Sequence, residues 1–200
     1  MIAIIDYGAG NIFSVKNALD YLGVENKLTA DKNEICAADE IILPGVGAFP
    51  WAMKMLRDSG LVDTIREEAR KKPFLGICLG MQLIFDKGYE FEETDGLRLI
   101  GGKVEKIDRK DMIIPHMGCN ELEINRDCPI LKGLPEHPYV YFVHSYAAVC
   151  DEANVSAYCD YGGKITALVH DGAYVYGAQF HPEKSGEVGL QMLRNFAELA

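Results

Sequence analysis

Two hundred residues, 48% of them hydrophobic, suffice for one domain with a full core, and we expect a single domain over residues 1–200. The formal net charge of −10, offset by no basic run, argues against a nucleic-acid or anionic-membrane surface. No stretch approaches the roughly 20 apolar residues of a membrane span, and residues 1–6 lack the charged leader and apolar length of a secretory signal. The six cysteines therefore read as reduced thiols of a cytoplasmic protein. Without any C-x-x-C they suggest no metal site.

In chain order, Ile2–Ile5 is an apolar run of strand length. Ile12, Val15, Leu19 and Leu22 then mark an amphipathic helix, closed by Gly23. Residues 41–43 form a second apolar strand, running into Pro44-Gly45-Val46-Gly47-Ala48 before a helix. A Gly-rich turn of this kind exposes backbone N–H groups that can stabilise an oxyanion. It can also cradle phosphate, although neither G-x-x-x-x-G-K-[ST] nor G-x-G-x-x-G is present. Residues 61–69 read as a helix with Arg and Glu on its outer face, and residues 74–77 as a third buried strand. The β-α-β-α order implies a parallel sheet covered by helices on both faces. Sites in such sheets lie beyond the carboxyl ends of the strands.

The second half is richer in strands, at 103–107, 121–124, 139–143, 147–150, 156–158, 165–169 and 174–178, before a final helix marked by Leu190, Leu193 and Phe196 with Ser185 as its cap. The expected fold is α/β: an open, mainly parallel central sheet flanked by helices, with added antiparallel strands in the C-terminal half. Asp171-Gly172 reads as a hairpin turn, and 108–111 as a solvated turn.

Two segments carry chemistry. In Phe74-Leu75-Gly76-Ile77-Cys78-Leu79-Gly80-Met81-Gln82 a strand meets a helix at a cysteine flanked by glycines. The glycines remove side chains where strand and helix pass closely, as in the G-x-S-x-G elbow. The position favours thiolate at a helix start, and the Leu79 N–H is available to an oxyanion. A structural buried cysteine is the competing reading of this segment alone. The second segment is Gln179-Phe180-His181-Pro182-Glu183. Pro182 is expected to hold the chain extended, so that His181 and Glu183 share one face and the carboxylate orients the imidazole. Thiol, imidazole and carboxylate together make an acyl-transfer site. His144 reads as a satisfied core histidine, and His116 divides evenly between a plain loop and an interface contact. His137 and His170 carry no assigned chemistry.

The cysteine and histidine motifs resemble those of the class I (triad) glutamine amidotransferases, and the resemblance runs from residue 2 to about residue 199. Asp6-Tyr7-Gly8-Ala9-Gly10-Asn11, Pro115-His116-Met117-Gly118 and His181-Pro182-Glu183-Lys184-Ser185 are similar, within that family, to the glutaminase subunits of imidazole glycerol phosphate synthases. The resemblance implies that Cys78, His181 and Glu183 are catalytic. It implies an oxyanion hole from Val46, Gly47 and Leu79, with Gly45 lining it. Gln82, Glu90 and the backbone of His144-Ser145-Tyr146 would hold glutamine. Asn11, His116, Cys119, Tyr141 and Lys184 would face a cyclase (synthase) subunit in a heterodimer, with no cofactor. Cys119 departs from the family, which carries Trp there. Glutaminase subunits of anthranilate or GMP synthesis, a cysteine peptidase and a non-catalytic scaffold subunit are the other readings.

Overall fold

The computed structural model describes residues 1–109 and 111–200. Lys110, within the turn expected at 108–111, lies outside the described residues. The elements are β1 (Ile2–Ile5), α1 (Ile12–Tyr21), β2 (Asn26–Thr29), α2 (Lys32–Ala37), β3 (Glu40–Gly45), α3 (Phe49–Asp58), α4 (Val62–Glu68), β4 (Phe74–Cys78) and α5 (Leu79–Leu83). They continue with β5 (Lys87–Gly88), β6 (Thr94–Asp95), β7 (Gly102–Lys106), β8 (His116–Glu121), β9 (Glu123–Ile124), β10 (Tyr139–His144), β11 (Tyr146–Cys150), β12 (Val155–Asp160), β13 (Lys164–His170), β14 (Val175–Ala178) and α6 (Gly186–Phe196).

Eight strands form the main sheet in the order β2-β1-β3-β4-β14-β13-β12-β9. The first five are parallel. The last three run antiparallel, beginning at the β13–β14 hairpin. This is the expected mixed sheet. The hairpin turns at Asp171-Gly172, where Gly172 adopts φ +87°. A four-stranded sheet (β11-β7-β5-β6) and the β8–β10 pair stand beside it. Among the described residues no helix is long and apolar enough to cross a membrane.

The central strands are apolar on both faces because both faces are covered. Ile2, Ile4, Ile42, Leu75 and Ile77 pack with Val15 and Leu19 of α1 and Met192, Leu193 and Phe196 of α6. Their alternating neighbours Ile5, Ile41, Leu43 and Phe74 pack with Phe49, Met53 and Leu56 of α3 and Ile65 of α4. Burying each such side chain contributes roughly 1.5–3 kcal/mol. An exposed ion pair such as Lys16–Asp20 contributes only about 0.3–0.5 kcal/mol, so the alternation of apolar residues decides the layering. Residues 26–37, which had no expected element, form β2 and α2. Asp31 caps α2 by accepting from the Asn33 and Glu34 amides.

Glu40 opens β3 with only 3% of its surface exposed, at the edge of this core. Burial pushes its carboxyl up to about 7, partly offset by the nearby N-terminal ammonium. The folded state thus holds a proton that the unfolded chain releases near pH 4.5. The group costs nothing below that pH, and its cost is complete once pH rises through about 7. Glu40→Gln is therefore expected to stabilise the protein by roughly 2–3 kcal/mol at pH 8 and to be nearly neutral at pH 4.5. Thermal unfolding of both proteins at the two pH values checks this.

Candidate active site

Three adjacent parallel strands deliver the site at their carboxyl ends: β3 ends at Gly45, β4 at Cys78, and β14 leads through Gln179 to His181. Gly45 pairs directly with Cys78, so the Val46-Gly47 turn leaves the sheet next to the sulfur. Cys78 takes φ +54°, ψ −110°, a left-handed conformation costing a non-glycine residue on the order of 1–3 kcal/mol. The elbow holds it there because nothing larger than hydrogen fits around it. A Cβ on Gly80 would lie 1.9 Å from the Leu43 carbonyl oxygen, and one on Gly76 would lie 2.6 Å from the Gly80 oxygen. Both clashes are with backbone. Gly80→Ala is therefore expected to cost about 3 kcal/mol or more and to lower the melting temperature by at least roughly 6–12 °C, as read by thermal denaturation.

His181 is 3% exposed, and its Nδ1 lies 2.7 Å from Glu183 Oε1. The Glu183 side chain is itself almost wholly buried. The two meet across a 3-10 turn at Pro182–Lys184. The extended chain expected at Pro182 is thus corrected: the ring's fixed φ suits the first residue of a helical turn, and the turn brings Glu183 back under the imidazole. Ser185 stands before α6 but makes no side-chain cap there. Its hydroxyl donates to the His181 carbonyl at 2.6 Å and accepts from the Tyr141 N–H at 3.0 Å. The His181 N–H donates to the Tyr141 carbonyl at 2.9 Å. These bonds clamp the histidine to β10.

The Glu183 bond occupies Nδ1, and the other ring nitrogen, Nε2, is buried with no hydrogen-bond partner among the described residues. Burial lowers the proton affinity of His181, but its polar interactions with Cys78 and Glu183, and secondarily their charges, outweigh it and raise its pKa to about 9. The arrangement favours the protonated imidazole beside the sulfur.

Cys78 and His181 share a cavity of about 370 Å³, also lined by Val46, Gly47, Leu79, Gln82, Glu90, Pro115, Val143, His144, Ser145 and Tyr146. Its size falls within the ~300–1,000 Å³ of small-ligand sites. A larger open depression of about 950 Å³ between α3 and residues 91–95 contains neither thiol nor imidazole. Glu90 lines the cavity while one carboxylate oxygen accepts from the Phe49 N–H at 2.7 Å. That bond caps α3, whose own N-cap, Ala48, has no side chain able to do so. Glu90 thereby ties the Gly-rich turn in place.

The expected interface residues divide. Cys119 and Lys184 are exposed, and Asn11 and Tyr141 are half-buried. His116 is fully buried, so the expectation that it contacts a partner or sits in a plain loop is corrected. It lies in β8, its ring stacked between Phe142 and Tyr161 with centroids 4.7 and 3.9 Å away. His116 Nδ1 lies 3.0 Å from His144 Nε2, and His144 Nδ1 lies 2.8 Å from the Tyr146 carbonyl oxygen. Burial pushes the pKa of His116 down and that of His144 down to about 4, so both rings are neutral at pH 7. The carbonyl only accepts, which puts the His144 proton on Nδ1; His116 then donates from its own Nδ1, and its Nε2 accepts from the Asn120 side-chain amide, turned so that its NH₂ faces the ring at 2.9 Å.

Sequence reasoning missed Tyr7 and the side-chain role of Gln179. Tyr7 is buried, and its hydroxyl has no partner among the described residues. A Cβ on Gly45 would stand 2.9 Å from that hydroxyl. Both residues lie in motifs that attracted notice for other members, and no local signal marks either.

The fold and cavity are those of a class of enzymes. The family model for glutamine amidotransferase class-I matches residues 3–199, and the chain belongs to that family. It is 51% identical over 197 residues to the imidazole glycerol phosphate synthase subunit HisH of Bacillus cereus, covering 98% of this chain and 93% of that protein. It is 48% identical over 201 residues to HisH of Listeria monocytogenes, covering 100% and 96%. A crystal structure of a glutamine amidotransferase superposes with a TM-score of 0.77 at 23% identity, covering 100% of this chain and 98% of the other.

Proposed function

We propose that this chain is the glutaminase subunit of an imidazole glycerol phosphate synthase, releasing ammonia from glutamine for a partner cyclase in histidine biosynthesis. The observation that carries it is that Cys78 and His181 line one cavity at the ends of β4 and β14, with Glu183 bonded to the far side of the imidazole, in a chain about half identical to HisH proteins over nearly its whole length.

Cys78 attacks the side-chain amide carbon of glutamine. The tetrahedral oxyanion takes N–H groups from Leu79 and the Val46-Gly47 turn, and Gly45, with no Cβ to strike Gly80 and Leu79, lets that turn lie against the start of α5. His181 donates its Nε2 proton to the leaving nitrogen, ammonia departs, and a glutamyl thioester remains on sulfur. His181, now neutral, removes a proton from water. The resulting hydroxide attacks the thioester, and glutamate leaves with Cys78 restored. Glu183 stabilises the imidazolium at both stages. Glu90 supplies a carboxylate for the substrate's ammonium group, and Gln82 with the backbone of residues 144–146 completes the binding site. The ammonia passes to the cyclase, which forms imidazole glycerol phosphate and a carboxamide ribonucleotide. Asn11, Cys119, Tyr141 and Lys184 lie on the face for that subunit, in a cytoplasmic heterodimer.

Glutamate release is to be measured with and without the cyclase subunit and its nucleotide ligand. Low activity alone and strong stimulation by the liganded partner are expected. Equal turnover in both conditions would contradict the assignment to this synthase.

A further inference from the structure

Gln179 belongs to no part of the mechanism above, yet it is fully buried and touches the nucleophile. Its Nε2 lies 3.9 Å from Cys78 Sγ, and its Oε1 accepts from Gln82 Nε2 at 3.1 Å. Gln82 Nε2 also donates to the Tyr146 carbonyl oxygen at 3.0 Å. The same carbonyl accepts from His144 Nδ1 at 2.8 Å.

An amide side chain can be turned end for end, so the donor at the sulfur needs an argument. The Tyr146 carbonyl provides it, because a backbone carbonyl only accepts. The atom of Gln82 facing it is therefore the NH₂, and the same NH₂ faces Gln179, whose near atom must be its oxygen. The far atom of Gln179 is then its NH₂, aimed at sulfur. The Tyr146 oxygen has both lone pairs occupied by buried donors, so it is itself held in place.

We propose that Gln179 is a fixed N–H donor to the Cys78 thiolate, and that Gln82 is the positioning residue setting its polarity from the Tyr146 carbonyl. The thiolate then has a fixed neutral donor from Gln179 in the cavity that His181 also lines. Gln82 keeps its Oε1, the one polar atom outside this chain of bonds, for the cavity.

The inference rests on Cys78 being the nucleophile. The test therefore reads Cys78 directly, without glutamine: alkylation by iodoacetamide, followed by mass spectrometry on the Cys78 peptide so that the other five cysteines do not contribute. In Gln179→Leu the midpoint of the pH–rate profile is expected to move up by about one unit, the tenfold worth of one hydrogen bond to a charged group, while the plateau rate at high pH is unchanged. Gln179→Glu keeps the shape and the acceptor for Gln82 but turns a carboxylate oxygen to the sulfur, and is expected to move the midpoint further up. It also decides the matter if the leucine variant does not fold. A midpoint within about 0.3 units of wild type in the folded variants would overturn the proposal. Failure of the nucleophile reading shows separately, as glutamine turnover surviving Cys78→Ala.

Discussion

Cys78→Ala is expected to lower glutamine-dependent turnover by at least about 10⁴-fold, and to leave the melting temperature and the ammonia-dependent reaction of the synthase near wild type. The magnitude follows from the nucleophile acting as one member of a unit, where removing it leaves only binding and oxyanion stabilisation. The selectivity follows from the structure. Cys78 is held in a left-handed conformation between Gly76 and Gly80, and alanine keeps the same Cβ and removes only sulfur. Free ammonia bypasses the thioester and needs no nucleophile. Glutamate release and ammonia-dependent product formation, assayed on the same preparation, check both halves.

Glu183→Gln is expected to reduce kcat with glutamine by about 10²–10⁴-fold, with a much smaller change in KM. The carboxylate lies 2.7 Å from His181 Nδ1 and is shielded from water. In the amide variant the geometry survives but the negative charge does not. The imidazolium formed as Cys78 gives up its proton loses its counter-charge, in surroundings where burial already works against a cation. The pKa of His181 should fall from its raised value, so a stability difference between wild type and variant should accompany the kinetic one. Because the folded value of about 9 lies above the unfolded value near 6.5, that stabilisation is present in full below about pH 6.5 and lost as pH rises through 9. The unfolding midpoints should therefore differ most at acid pH and converge in alkali. Steady-state kinetics and urea unfolding at pH 6 and pH 9.5 measure the two effects.

What the sequence exposed was whatever is written in consecutive residues. The alternation of strand and helix, the elbow at Cys78, the Asp171-Gly172 hairpin and the His181–Glu183 pair all arise from contacts a few positions apart. The same rule explains the misreadings. Pro182 suits an extended chain and the first residue of a helical turn equally well, and the packing of Ser185 against β10 decides for the turn. Ser185 reads as a cap, but its hydroxyl is claimed by Tyr141 and His181. His116 sits in a polar, loop-like segment, and only its pairing opposite His144 buries it. Residues 26–37 alternate charge with too few apolar side chains to announce β2 and α2, which exist because β1 and α4 lie beside them. Gln82, Gln179 and Tyr146 form one hydrogen-bonded chain across the fold, a relation no motif states.

The central claim is that Cys78 attacks the amide carbon of glutamine, and a glutamine-shaped diazoketone tests it most directly, since the sulfur displaces nitrogen and remains covalently attached. The protein, complexed with its partner, should take up one equivalent on the Cys78 peptide, lose glutamine-dependent activity in step with labelling, and be protected by glutamine. Inactivation with the label on any other residue, or full labelling of Cys78 with glutamine turnover intact, would contradict the account.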